Sequence, residues 1–247
     1  MTYDKQAPAR ETAEIGELIT WPRRYVLMTT LYFLGRDRTL RRELAAASGA
    51  RPGDHAIDIG CGPGRLAAAL AERVGPQGRV LGVDPSGPMI DYARKHAPAA
   101  IRFEVGSAQA ISAEDASFDV VTATYVMHHI PEPERKTALA GMFRMLRPGG
   151  RLLLADAHPT DEVLGALVGV MARRVALRVA RRAAQQQHDH NHSHGHEHGH
   201  GHDHGADPAS VIDIRQYQEP LRQLGFEQLE FRTNRFATAI LTAVKPA

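Results

Sequence analysis

Between Ala56 and Arg65 the chain reads Ala-Ile-Asp-Ile-Gly-Cys-Gly-Pro-Gly-Arg, and few folds accommodate that order. Ala56 to Ile59 has the apolar character of a short buried strand, and the Ala-rich run Leu66 to Val74 predicts a helix. Gly60, Gly62 and Gly64 lie at alternate positions and turn the chain between the two. Such a loop lets a ligand lie against bare backbone, beside the free N–H groups of a helix start. Asp84 follows about 20 residues later, at the end of a second apolar run, Val80 to Val83. A carboxylate there can accept hydrogen bonds from both hydroxyls of a ribose.

The ligand class follows from charge. Asp58 lies inside the strand, two residues before Gly60. A buried carboxylate there repels a pyrophosphate but suits ammonium and sulfonium charges. The spacing is also Gly-x-Gly-x-Gly, with Pro63 near the first position of the helix. In Asp58-Ile59-Gly60-Cys61-Gly62-Pro63-Gly64 the chain resembles the class I S-adenosylmethionine-dependent methyltransferases. The resemblance continues downstream in Tyr125-Val126-Met127-His128-His129-Ile130 and in Leu146-Arg147-Pro148-Gly149-Gly150-Arg151. It covers residues 50–158 and extends over 210–245. A narrower likeness, in Leu34-Gly35-Arg36-Asp37-Arg38, is to the ubiquinone/menaquinone biosynthesis methyltransferases.

The resemblance implies an α/β fold: a Rossmann-like, seven-stranded, mostly parallel sheet with helices on both faces and an N-terminal helical lid. It implies S-adenosylmethionine as cofactor, held by Asp58, Gly60, Cys61, Gly62, Gly64, Asp84, Pro85, Ser107, Ala108 and Thr124. Ser107 departs from the pattern, because the family usually has an acidic residue there to grip the adenine. Methyl acceptors in such a site are small molecules, here expected to be apolar.

Alternating strands and helices from residue 55 onward independently require a parallel sheet covered on both faces. Strands are expected at 101–105, 118–124, 151–156, 226–231 and 236–244, with helices near 132–146 and 213–224. Residues 1–49 form the lid, in which Tyr25, Met28, Leu31, Tyr32 and Phe33 are expected to share one side of a first helix. Residues 50–247 form the methyltransferase domain. A helix expected over 160–187 precedes a disordered His-rich insertion at 186–209.

The totals exclude other classes. A formal charge of +2 over 247 residues is too small to imply a nucleic-acid partner. Cys61 is the single cysteine, so no internal disulfide forms and no thiolate cluster exists of the kind expected for methylating trivalent arsenic. Asp4, Glu11 and Glu14 interrupt a polar start, no leader is expected, and no apolar run reaches the roughly 20 residues of a membrane span. The expected location is cytoplasmic. The apolar N-terminal helix and the arginines of 160–187 suggest peripheral contact with an anionic membrane.

Methyl transfer from a sulfonium is an in-line displacement in which the enzyme chiefly aligns the reactants and excludes water. A base is needed only when the acceptor carries a proton, and His128 and His129 are the nearest candidates. Trp21 and Tyr25 are candidates for the acceptor pocket. Nine of the 14 histidines occupy every second position of one tract: His188, His190, His192, His194, His196, His198, His200, His202 and His204. Small and polar residues separate them, so no core forms, and neutral imidazoles there suit a divalent metal in a buffering or adventitious role. Two other readings stay open: a metal-responsive binding protein that uses the fold as scaffold, and an RNA or protein methyltransferase.

Overall fold

The computed structural model describes residues 18–158 and 212–247. Its elements, in chain order, are α1 (Pro22–Tyr32), α2 (Asp37–Ala47), β1 (His55–Ile59), α3 (Arg65–Val74), β2 (Arg79–Asp84), α4 (Gly87–His96), β3 (Arg102–Val105) and β4 (Phe118–Thr124). There follow a 3-10 turn (Met127–His129), α5 (Glu132–Met145), β5 (Leu146–Ala157), a second 3-10 turn (Ile214–Tyr217), α6 (Gln218–Gln223), β6 (Glu227–Thr233) and β7 (Thr238–Val244). The strands form one seven-stranded sheet in the order β3-β2-β1-β4-β5-β7-β6. β7 is antiparallel to both its neighbours, and the other strand pairs are parallel.

This order follows from burial. Ala56 to Ile59 are buried without alternation, as in a strand covered on both faces. On one face Leu40, Leu44, Leu66, Leu70 and Ile90 of α2, α3 and α4 build a core with Ala56 and Val120. On the other, Leu139, Met142 and Met145 of α5 and Ile214, Tyr217 and Leu221 near the C-terminus pack on Ile57, Val121 and Leu241. The sheet grows outward from β1 in one direction and from β4 in the other, so the switch in strand order lies between these two. Ligands on such sheets bind beyond the carboxyl ends of the strands at that point.

Three local expectations are corrected. Leu31 is 66% exposed, on the outer face of α1. It lies six residues from Tyr25, and at 3.6 residues per turn that carries it well round the helix. The stretch expected as one helix over 213–224 begins as a 3-10 turn, because the Asp213 carboxylate accepts the Arg215 N–H at 3.0 Å and tightens the entry. The turn expected at Pro148–Gly150 is absorbed into β5. A register shift between Phe118 and Val120 accommodates the extra residues, while the Gly149 N–H donates to Lys245 O at 2.9 Å. The helix expected over 160–187, the insertion at 186–209 and all nine tract histidines lie outside the described residues.

α1 and α2 occupy the place expected of a lid, and one carboxylate ties them down. Asp37 accepts hydrogen bonds from Arg41 on its own helix at 3.1 Å and from Arg65, the first residue of α3, at 2.8 Å. Arg65 also donates to Thr30 Oγ1 at 3.1 Å, and Ser86 Oγ donates to Ile19 O at 2.7 Å. Arg41 is buried, its guanidinium 5.9 Å from the Phe33 ring centroid and 5.5 Å from that of Tyr125. Breaking a buried ion pair from one side leaves an uncompensated charge, which costs on the order of 3–5 kcal/mol. Asp37→Ala is therefore expected to lower stability by about that amount in urea unfolding, whereas breaking the exposed Arg42–Glu72 pair by Glu72→Ala changes it by about 1 kcal/mol or less.

Candidate active site

The carboxyl ends of β1, β2 and β4 converge on the glycine loop. The Gly60 and Cys61 N–H groups both donate to Val83 O, at 2.7 and 3.0 Å, which ties the loop to the end of β2. Gly60 has φ +66°, and a Cβ on it would come within 2.0 Å of Val126 Cγ2, so only glycine fits beneath the turn after β4. Gly62 has φ +51°, but a Cβ there would meet none of the described residues within 4 Å. The loop is thus packed at Gly60 and open at Gly62. Gly64 caps α3 in the left-handed conformation. Pro63 stands ahead of that cap, so the helix starts at Arg65.

Asp84 ends β2. Its Oδ2 accepts the Gly62 N–H at 2.8 Å and its Oδ1 accepts the Ser86 N–H at 2.9 Å. Burial raises its affinity for a proton, and the two N–H groups offset part of that rise. Each oxygen retains a lone pair. Pro85 is half-buried beside it, and Ser86 caps α4. Ser107 and Ala108 follow β3 half-buried, Ala108 resting on the core, and Thr124 is buried at the end of β4. Cys61 offers the site no side chain. Its thiol sits in the core, and burial, reinforced by Asp58 and Asp84, keeps it protonated.

Asp58 is 1% exposed. Its Oδ1 accepts a hydrogen bond from Thr122 Oγ1 at 2.8 Å, across the β1–β4 junction, while among the described residues its Oδ2 has no partner of hydrogen-bond geometry. Burial pushes the carboxyl up to about 7, with Thr122, the nearby Arg41 and the Ala67 backbone N–H offsetting only part of the effect. An orphaned buried acceptor, an open glycine and a second carboxylate form a donor-poor site. That set suits a cationic ligand with ribose hydroxyls and opposes a pyrophosphate. S-adenosylmethionine fits these residues.

The two aromatic candidates separate. Tyr25 lies in the electrostatic neighbourhood of Arg41, Asp37, Asp84 and Arg65, beside the site; burial chiefly raises its phenol. Trp21 instead lines a surface groove with Arg24, Tyr92 and His96, between α1 and α4. The histidines also differ. His128 Nδ1 lies 3.0 and 2.9 Å from the two carboxylate oxygens of Asp156, near the end of β5. His129, its ring centroid 4.1 Å from that of His128, is pushed down to about 4 by burial and by its neighbour. Among the described residues no group of three or more His, Cys, Asp or Glu could hold a metal, and no helix is long and apolar enough to cross a membrane.

Sequence reasoning passed over Arg41, Thr122 and Asp156. Each reaches the site from a different element, and none lies in a glycine or histidine motif. The one available signal was the charge of Asp156 within the apolar run Leu152 to Ala157, where a carboxylate needs a partner.

The Asp58 carboxyl makes stability depend on pH in a defined direction. Folding raises its pKa from an ordinary value of 3.8 to about 7, so the folded state binds more protons between those limits. Its contribution to stability is therefore lost as pH rises from about 4 to about 7, at up to about 1.4 kcal/mol per pH unit. Asp58→Asn is expected to be more stable than the parent at pH 8 and to lose that advantage at pH 4. Urea midpoints at the two pH values check it.

The Methyltransferase domain family matches residues 56–150. A demethylmenaquinone methyltransferase of Deinococcus radiodurans is 35% identical over 167 residues, which are 64% of this chain and 68% of that protein. One from Symbiobacterium thermophilum is 31% identical over 161 residues, 63% of each chain. An uncharacterized 37.1 kDa protein in transposon TN4556 of Streptomyces fradiae is 39% identical over 121 residues, 48% of this chain and only 34% of that one. A crystal structure of a SAM-dependent methyltransferase from Aquifex aeolicus superposes with a TM-score of 0.59 at 16% identity, covering 90% of this chain and 97% of that one. The cyclase SpnF superposes with a TM-score of 0.57 at 18% identity, covering 85% and 81%, so the fold alone does not fix the reaction. Glycine loop, strand order and sequence relatives agree: the chain belongs to the class I S-adenosylmethionine-dependent methyltransferases, whose cofactor is S-adenosylmethionine.

Proposed function

We propose that the chain transfers a methyl group from S-adenosylmethionine to a small, apolar aromatic acceptor of the hydroquinone kind. The observation that carries the cofactor half is the unpartnered Asp58 Oδ2 beside the open Gly62, with Asp84 across the loop. Asp84 would take the ribose hydroxyls on its free lone pairs, already oriented by Gly62 and Ser86. Asp58 would face the cationic end. Ser107, Ala108 and Thr124 would border the adenine side. When bound, the cofactor supplies an electrophilic methyl whose departure leaves a neutral sulfur. The protein's part is to align the acceptor and exclude water, the role assigned to α1 and α2 as a lid.

The acceptor half draws support from the relatives named demethylmenaquinone methyltransferases.

Calorimetric titration tests the cofactor half. Asp84→Ala removes hydrogen bonds to a charged acceptor, worth about 1.5–3 kcal/mol, so affinity for S-adenosylmethionine is expected to fall roughly ten- to hundredfold. Because the ligand cation favours ionised Asp58, affinity in the parent is expected to climb as pH rises through about 7, up to about tenfold per unit below it, and to level off above. An Asp84→Ala protein that binds as tightly as the parent overturns the assignment. Turnover of a panel of hydroquinones, phenols and amines, followed by S-adenosylhomocysteine release, tests the acceptor half.

A further inference from the structure

We propose that His128 is the general base of the reaction, held in its working tautomer by Asp156, and that the acceptor presents to it a phenolic or quinolic hydroxyl. This rests on the methyl-transfer reading above and deepens it.

The dyad joins two strands. Thr124, at the end of β4, pairs with Ala155 of β5, so the turn carrying His128 and the next residue of β5, Asp156, emerge side by side at the carboxyl edge. Asp156 is 1% exposed, and its Oδ1 also accepts the Ala157 N–H at 2.8 Å. A buried carboxylate so held has only acceptor capacity, so Nδ1 of His128 must be the donor. Nε2 then carries a lone pair. It has no hydrogen-bond partner among the described residues, and the side chain is 18% exposed. The same turn places Val126, two residues before His128, against Gly60 of the glycine loop.

The neighbouring charges are consistent with one proton acceptor. His129 stays neutral above about pH 4, so an imidazolium at His128 meets no adjacent like charge. Tyr125, from the end of β4, is held protonated by burial and shares a 2.6 Å hydrogen bond with Thr238 Oγ1 of β7. Of the three, His128 is the one whose ring nitrogen faces a carboxylate.

In the step, the hydroxyl proton passes to Nε2 and the electron pair of the O–H bond stays on the acceptor. Attack through oxygen forms the O–CH3 bond while the S–CH3 pair leaves on sulfur, giving a methyl ether. Attack through the ortho carbon gives a dienone, which rearomatises as that carbon yields its proton to water and the oxygen takes back the one on Nε2. Asp156 neutralises the imidazolium throughout, as a positioning residue.

The test combines a spectrum with kinetics. In 15N-resolved NMR of the parent protein, His128 is expected to carry its proton on Nδ1. In Asp156→Asn the amide oxygen stays with the Ala157 N–H, the NH2 faces Nδ1, and the proton is expected to move to Nε2. Both His128→Asn and Asp156→Asn are expected to lose about 10²–10⁴-fold in kcat on hydroquinone and phenol acceptors, with S-adenosylmethionine affinity within about twofold of the parent. A parent spectrum with the proton on Nε2 overturns the proposal without requiring any variant to fold. So does full turnover by His128→Asn, or methylation confined to acceptors without a hydroxyl. If S-adenosylmethionine binds but no panel member turns over, the spectra decide: a tautomer unaffected by Asp156→Asn overturns the proposal, and the expected switch supports it. Failure of the parent to bind S-adenosylmethionine refutes the methyl-transfer reading instead.

Discussion

A carboxylate buried where the strand order reverses sets the terms for the rest of this structure. Asp58 has one oxygen satisfied by Thr122 and one that, among the described residues, has no partner of hydrogen-bond geometry. A buried unpaired acceptor is costly, and its pKa near 7 expresses that cost. The surrounding architecture withstands it. Two cores of aliphatic side chains clamp the sheet from both faces, and β1, which carries Asp58, is hydrogen-bonded on both edges. A strand so constrained cannot turn the side chain out to water.

The glycine loop works as a consequence of that constraint. Gly60 must be glycine because Val126 lies where its Cβ would go, and the close approach brings the turn after β4 down onto the loop after β1. Gly62 is open in that none of the described residues comes within 4 Å of where its Cβ would lie. Its N–H in turn orients Asp84. One backbone segment thus orients the Asp84 carboxylate and fixes the position of the histidine turn.

The lid and the dyad share a different logic, in which charges from separate elements are matched. Asp37 serves two guanidinium groups, one from its own helix and one from the start of α3, so the lid is latched to the helix that begins at the cofactor loop. Arg41 carries its charge inward against Tyr125 and toward Asp58. Asp156 likewise matches His128 across two strands. In both places a buried carboxylate decides which way a cationic or proton-accepting group faces.

Much of the fold was legible in the chain because its signals are local. The run Ala56–Ile59, the three alternate glycines and Asp84 specify a strand, a turn and a second strand end with no reference to distant residues. Their order then implies a parallel sheet. The helix faces were less legible where packing is one-sided. Leu31 has the composition of a core residue but looks outward, because α1 rests on the body along one side only. The site divides the same way. Asp58, Gly60, Gly62 and Asp84 could be found by spacing, since backbone geometry demands those residue types. Thr122, Arg41 and Asp156 could not. Asp58 and Thr122 are 64 positions apart, and His128 and Asp156 are 28 apart. Only the pairing of β1 with β4, and of β4 with β5, brings each pair within hydrogen-bond reach. Sequence determined which groups are present at the sheet's carboxyl edge, and the register of the strands decided which of them meet.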